Sequence, residues 1–213
     1  MTRIDDPTTR AATKPAVSTR DLARRVLRLA VASAVASIVV LAACTTAPPP
    51  KPTPPASAST STAQEARANL ASASGSLVSG TVTLKPMGDG VHLTGTVGGF
   101  AANSQHGIHV HEKGDCSAVD ASSAGGHFNP TAEAHGRASA EPLHAGDMDN
   151  LVADGDGVAR VNIHLSGVTL GGGAANDIAG RALVVHAAPD DYTSQPSGNS
   201  GARVACAVIT VTR

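Results

Sequence analysis

Residues 107–147 constrain this chain more than any other stretch. Five of the nine histidines fall there, at His109, His111, His127, His135 and His144, and Asp147 closes the run. Neutral imidazole suits zinc and copper, and one carboxylate completes a tetrahedral zinc set. His109 and His111 flank Val110 in a β-like Ile-His-Val-His run. Side chains alternate faces along a strand, so both imidazoles project from one face while Val110 points into a core. Gly125-Gly126 lets the backbone turn sharply and bring His127 in from another direction. The segment carrying His135, His144 and Asp147 has no helix or strand period. A long loop of this kind is unusual in a compact domain unless it is functional, and a metal would tie it down.

Around this stretch the chain reads as β. Gly numbers 22, Trp is absent and Tyr192 is the single tyrosine, so the core must be Val, Leu, Ile and Ala. Alternation marks strands over 76–85, 91–97, 105–111, 157–165, 181–186 and 203–211. Met87-Gly88-Asp89-Gly90 turns the first two into a hairpin. Short strands with Gly-rich turns and little helix predict an all-β sandwich or barrel over 69–213. His92 and His164 read as surface histidines, and His106 as a structural hydrogen-bonding group. Asp154 and Asp156 read as a turn, and Asp115 and Asp120 as solvated loop charges.

The N-terminal third has another character. Residues 1–28 are polar and end in Arg20, Arg24, Arg25 and Arg28; residues 29–43 are small and apolar, and Cys44 follows. A basic region and a short apolar run make 1–43 a secretory signal. The run falls short of the roughly 20 apolar residues that a membrane span needs. Leu41-Ala42-Ala43-Cys44 resembles the bacterial lipoprotein signal, in which the cysteine becomes the first residue and carries lipid. Residues 44–68 then read as that cysteine plus a Pro/Ser/Thr-rich, semi-rigid tether, with 64–68 as a helical turn or more linker. The expectation is an exported lipoprotein, membrane-anchored through Cys44 and facing the periplasm or the cell exterior. Residues 1–43 hold seven Lys/Arg against three Asp/Glu, which leaves nine against fourteen for 44–213, a net charge of −5. No basic patch remains to neutralise phosphates, which argues against nucleic acid as a partner.

Cys116 and Cys206 are the cysteines left to the folded domain. An exported domain pairs such residues, and the bridge would pin the histidine-bearing loop to the last strand. Two free thiols, or thiolate metal ligands, are the alternatives.

Five motifs in order then carry a resemblance: Gly107-Ile-His-Val-His, Gly125-Gly-His-Phe-Asn-Pro, His135-Gly, His144-Ala-Gly-Asp, and Gly198-Asn-Ser-Gly-Ala-Arg-Val-Ala-Cys206. Together they resemble the copper,zinc superoxide dismutase family, in its bacterial exported branch, over about residues 72–213. The resemblance implies a Greek-key β-barrel, a flattened, immunoglobulin-like sandwich with a long metal-binding loop. It implies copper on His109, His111, His127 and His186, and zinc on His127, His135, His144 and Asp147, with His127 shared. Asp190 would join a copper histidine to a zinc histidine from outside. Arg203 would stand beside the open copper position and, with the shared His127, serve catalysis; Lys113 would assist in steering. Superoxide is then the substrate, and a homodimer is compatible with the resemblance. Ile108 stands where the family commonly has an aromatic, which affects packing, and Met148-Asp149 stands where Leu-Pro is common, which bears on the loop turn. Two rival functions use the same ligands: an exported copper or zinc buffer, which has no need of Arg203, and a zinc hydrolase, which needs an open zinc position.

Overall fold

The computed structural model describes residues 60–213. The expected signal peptide, the expected lipidation site at Cys44 and the expected tether through residue 59 lie outside the described residues.

Ten strands form the domain: β1 Ala66–Ser72, β2 Ser79–Met87, β3 Gly90–Gly98, β4 Gln105–His106, β5 Ile108–His111, β6 Leu151–Val152, β7 Val158–Ser166, β8 Ala182–His186, β9 Arg203–Val208 and β10 Thr210–Val211. The main sheet runs β5-β8-β9-β1-β2-β3-β7, with β10 beside the start of β1, and β4 pairs with β6 in a small second sheet. All the pairings are antiparallel. A bridge between Ala153 and Ala159 brings the small sheet against β7, and the curled whole is the expected Greek-key β-barrel.

Alternation explains β1, β2, β3 and β7. Val82 and Leu84 of β2, Val91, Leu93 and Val97 of β3, and Ala159, Val161 and Leu165 of β7 point inward and are buried. Thr81, Lys85, Thr94 and Arg160 face out. The β2–β3 hairpin closes through Gly88-Asp89, with Met87 opposite Gly90, as the turn chemistry predicts.

Several boundaries differ from the sequence reading. Residues 64–68 are neither helical turn nor tether. Ala66 and Ala68 are fully buried in β1, and the Gln64 and Glu65 N–H groups donate to the Arg213 carbonyl. Glu65 also pairs with Arg213 and Lys85 at 2.9 and 3.4 Å, so the domain closes on its own C-terminus before residue 69. Strand β2 starts at Ser79 rather than residue 76, and Leu77 is exposed. The single strand expected over 105–111 breaks at Gly107, so β4 joins the small sheet and β5 the main one.

With few aromatics the core is aliphatic. Leu84, Leu93, Ile108, Leu170, Leu183 and Ile209 are fully buried, and so is Met148. Ile108 and Met148, the two departures noted above, therefore act in packing. A smaller apolar cluster of Ala73, Ala121, Ala124, Ala182, Val184 and Cys206 fills the other face of β8 and β9. The 112–126 loop covers that face, so β5 and β8 are buried on both sides.

Candidate metal centre

Strand β5 is the foundation of the site. On one edge it pairs with β8, with His109 opposite Val184 and His111 opposite Ala182. On the other edge the histidine-bearing loop adds itself in place of a strand. Phe128 N–H donates to the Val110 carbonyl, Val110 N–H to Gly146, and Gly146 N–H to Phe128. Those bonds hold His127 and the His144–Asp147 turn against β5.

His186 ends β8 on the face shared by His109 and His111, two and four residues after Val184 and Ala182. The register shifts at Val185/His186, so that Arg203, rather than Val204, stands opposite His186. This β-bulge turns Arg203 onto the histidine face.

Two groups of four buried side chains result, each with its ligand atoms within 4.8 Å of one another: His109, His111, His127 and His186; and His127, His135, His144 and Asp147. His127 belongs to both. Its Nδ1 lies 2.8 Å from Asp147 Oδ1, and its Nε2 is buried without a hydrogen-bond partner. His109 Nδ1 is also buried and unpartnered. His135 Nδ1 lies 3.0 Å from Asp147 Oδ2 without making a hydrogen bond. The Nε2 atoms of His111 and His186 face each other at 3.3 Å. Orphaned ring nitrogens at zero to eight per cent exposure converging on two points are costly in a dry interior. They fit metal ions that would accept their lone pairs, and the nitrogen-rich and mixed nitrogen–oxygen donor sets suit copper and zinc.

The opposite ring nitrogens of His109, His111, His135 and His186 are already engaged. His109 Nε2 and His135 Nε2 meet the two oxygens of Asp190 at 2.8 and 3.0 Å. His111 Nδ1 meets the Gly125 carbonyl at 3.0 Å, and His186 Nδ1 the Gly201 carbonyl at 3.3 Å. Such outer acceptors fix tautomer and ring orientation. Asp147 Oδ2 accepts from the N–H groups of His144 and Gly136 at 2.8 and 3.0 Å.

The electrostatics agree. Burial, with the charges of His127, His186 and Arg203 adding to it, pushes His111 down to about 2. Burial and the neighbouring His109 push His186 down to about 3, and burial pushes His127 down to about 4 against the pull of Asp147. These three rings are neutral and able to ligate. Burial opposes charge on His135 too, but Asp147 and Asp190 outweigh it and raise the ring to about 9. Burial likewise opposes ionisation of both carboxylates. The close imidazoles of His127, His135 and His144 and the Gly136 N–H nevertheless hold Asp147 well below the carboxylate range, and hydrogen bonds from His109 and His135 do the same for Asp190. The second group is thus a place where a positive charge is stabilised.

Arg203 donates to the carbonyls of Ala121 and Gly125 at 2.6 and 2.5 Å, which brings it to the loop beside His111. Lys113 is exposed, and its N–H donates to the Ala124 carbonyl in the same loop. Cys116 and Cys206 form a disulfide, so neither is a thiolate ligand. His92, His106 and His164 lie outside both groups. His106 Nδ1 meets the His186 carbonyl at 2.9 Å, as a structural histidine does.

Sequence reasoning missed the clamps behind the ligands. Asn150 donates to the Asp190 carbonyl and accepts the Asp190 N–H, at 2.9 and 2.8 Å. Gln195 holds the His135 backbone from both sides at 2.8 and 2.9 Å. Their partners are 40 and 60 residues away in sequence, so no local pattern announces them.

The family model described as Copper/zinc superoxide dismutase (SODC) matches residues 78–209. The chain is 40% identical to Superoxide dismutase [Cu-Zn] 2 of Aquifex aeolicus (strain VF5) over 148 residues, 68% of this chain and 86% of that protein. It is 39% identical to Superoxide dismutase [Cu-Zn] 1 of the same organism over 152 residues, 69% and 89% of the two chains. The crystal structure of the clock protein EA4 superposes with a TM-score of 0.64 at 34% identity, covering 72% of this chain and 98% of that one. That of a double mutant of a SOD-like protein from Bacillus subtilis does so with a TM-score of 0.62 at 34% identity, covering 68% and 96%. With the barrel, the shared histidine and these likenesses together, the chain belongs to the copper/zinc superoxide dismutase family.

Proposed function

We propose that the chain dismutes superoxide outside the cytoplasm, with His109, His111, His127 and His186 holding copper and His127, His135, His144 and Asp147 holding zinc. The observation that carries this reading is His127, a buried ring that belongs to both donor groups and whose Nε2 has no partner. Bound copper supplies the alternating one-electron oxidation and reduction that turns two superoxide anions and two protons into oxygen and hydrogen peroxide. His127 contributes a nitrogen, Nε2, that can hold and release a proton, while Nδ1, on the side of the second donor group, keeps the ring oriented. Asp190 ties the orientation of His109 to that of His135. Arg203 supplies a fixed cation that draws in a small anion, and its planar fork can bind one by charge and hydrogen bonds together.

Arg203 also speaks against a metal buffer, because storage needs no cation beside the ligands. A zinc hydrolase is disfavoured because four protein donors already complete the second group, the closed arrangement of structural zinc. Metal content and superoxide consumption of the purified protein test the reading together. Copper and zinc near one each per chain, with copper-dependent consumption, are expected; both metals without consumption would leave the buffer.

Export and anchoring are part of the same proposal. The basic segment, the apolar run, Cys44 and the proline-rich stretch support it, and a disulfide suits an oxidising compartment. Fractionating cells that carry Cys44→Ser tests it. Unaltered protein that is fully soluble, or a variant equally membrane-bound, sinks the anchor.

A further inference from the structure

The second donor group has its own opening to solvent. A cavity of about 510 Å³ has His144 and Asp147 in its lining and is walled in part by Asp89, Glu133, Glu141 and His164. His144 is 5% exposed and Asp147 is fully buried, so both belong to its floor, and they share their group with the unpartnered Nδ1 of His135. No Lys or Arg lines this cavity. Arg137, the cation nearest in sequence to Glu133 and Glu141, is turned to other partners, 3.3 Å from Asp149 and 5.0 Å above the Tyr192 ring. Glu133 and Glu141 are exposed, and among the described residues neither carboxylate is in an ion pair or a side-chain hydrogen bond. At the rim, Asp89 lies 2.8 Å from His164 Nε2.

We propose that this cavity is the port through which the divalent cation of the second group enters from solution, drawn in by Glu133 and Glu141. The proposal rests on the metal assignment made above. Carboxylates around a cleft with low-dielectric walls focus a negative potential, which concentrates cations and raises their on-rates. Two exposed carboxylates are a weaker site for zinc than three imidazoles with a buried carboxylate, so an ion met at the wall passes inward to His144, Asp147 and His135. The port bears the opposite sign to the Arg203 guanidinium, which is absent from its wall. The substrate anion and the structural cation would thus use separate approaches, each repelling the other's cargo.

Stopped-flow zinc uptake by the metal-stripped protein tests this, with the bound ion read by a chromophoric zinc indicator. The Glu133→Gln/Glu141→Gln variant should take up zinc roughly three- to tenfold more slowly at low ionic strength. The gap should close as salt screens the wall, and the final zinc stoichiometry should stay unchanged. Asp156→Lys alters net charge by the same two units on a turn outside the cavity and should leave the rate near that of the unaltered protein. Equal uptake rates for the double variant and the unaltered protein at low salt overturn the port, as does an equal slowing by Asp156→Lys. No zinc uptake by the unaltered protein overturns the metal assignment and the port with it, whereas normal uptake at an unchanged rate overturns the port alone.

Discussion

Arg203 and His111 share one acceptor. The guanidinium Nη2 of Arg203 donates to the Gly125 carbonyl at 2.5 Å, and His111 Nδ1 meets the same oxygen at 3.0 Å. A ring nitrogen that donates to a carbonyl must carry the proton, so Nε2 of His111 is left as the ligating atom. The second arm of Arg203, Nη1, donates to Ala121 at 2.6 Å. The cation that would attract the substrate is therefore held by the same loop atom that orients a proposed copper ligand.

This coupling separates the charge of Arg203 from its geometry. Arg203→Glu should lower kcat/KM for superoxide by about 10-fold or more and weaken or invert its decrease with salt, with both metals still bound. Arg203→Lys keeps the charge but has no planar fork to reach two carbonyls. It should retain the normal direction of salt dependence with an intermediate rate. Pulse-radiolysis rate constants at several ionic strengths check both, and an unaffected Arg203→Glu variant removes Arg203 from the site.

The disulfide reaches the same loop from its other end. Cys116 and Cys206 are 90 residues apart and enclose most of the domain. A closed loop of that size contributes roughly 4.6 kcal/mol in the chain-entropy model. Cys206→Ser should lower the melting temperature and loosen the segment that offers Ala121 and Gly125 to Arg203. Its kcat/KM should therefore fall by a larger factor than its copper content, which activity per bound copper measures directly.

Arg203 also shows where sequence reasoning stops. It lies three residues before Cys206, and Cys206 is opposite Val184, on the histidine face. Simple alternation puts residues three apart on opposite faces, so periodicity alone would turn Arg203 away from the site. The bulge at Val204 reverses the parity, and nothing in the local sequence marks it; the motif resemblance does. The outer strands β2, β3 and β7 were legible because one face is wet and one dry. Strands β5 and β8 are buried on both faces, so there the pattern that fixed the site was chemical, histidines two residues apart, rather than hydrophobic. Residues 64–68 misread because Ala66 and Ala68 are small, and small residues beside a Pro/Ser/Thr-rich stretch look like linker until the C-terminal Arg213 pairs with Glu65.

The titrating groups predict a stability optimum for the metal-free protein. His111, His127 and His186 are depressed in the fold, to about 2, 4 and 3. Between pH 6.5 and 4 the unfolded chain therefore binds protons that the fold refuses, and stability falls as pH falls. His135 is raised to about 9, so its contribution is complete below pH 6.5 and is lost as pH rises toward 9. Melting temperature of the stripped protein should peak near neutrality and decline on both sides. His135→Gln should flatten the alkaline arm between pH 6.5 and 9 and leave the acid arm. An alkaline arm that persists unchanged in that variant sinks the assignment of the raised group.

The bridge between the two donor groups depends on a residue with no side chain. Asp190 meets His109 with one oxygen and His135 with the other. Gly198 lies against that carboxylate at a φ of 64°, where a Cβ would collide with Asp190 Oδ1 and stand 2.7 Å from His135 Nε2. The left-handed backbone alone costs a non-glycine residue roughly 1–2 kcal/mol. The steric effect is more specific, because Asp190 must move off one ring or both. Gly198→Ala should therefore reproduce Asp190→Asn, which leaves one ring without its acceptor, and outer-shell losses of this kind lower metal affinity by about 10- to 100-fold. Two variants acting through one contact are not additive, so the double variant should lose little more than either alone. Competition against a graded zinc chelator measures all three affinities. Wild-type affinity in Gly198→Ala, or full additivity in the double variant, would show that the glycine serves the loop backbone and not the Asp190 bridge.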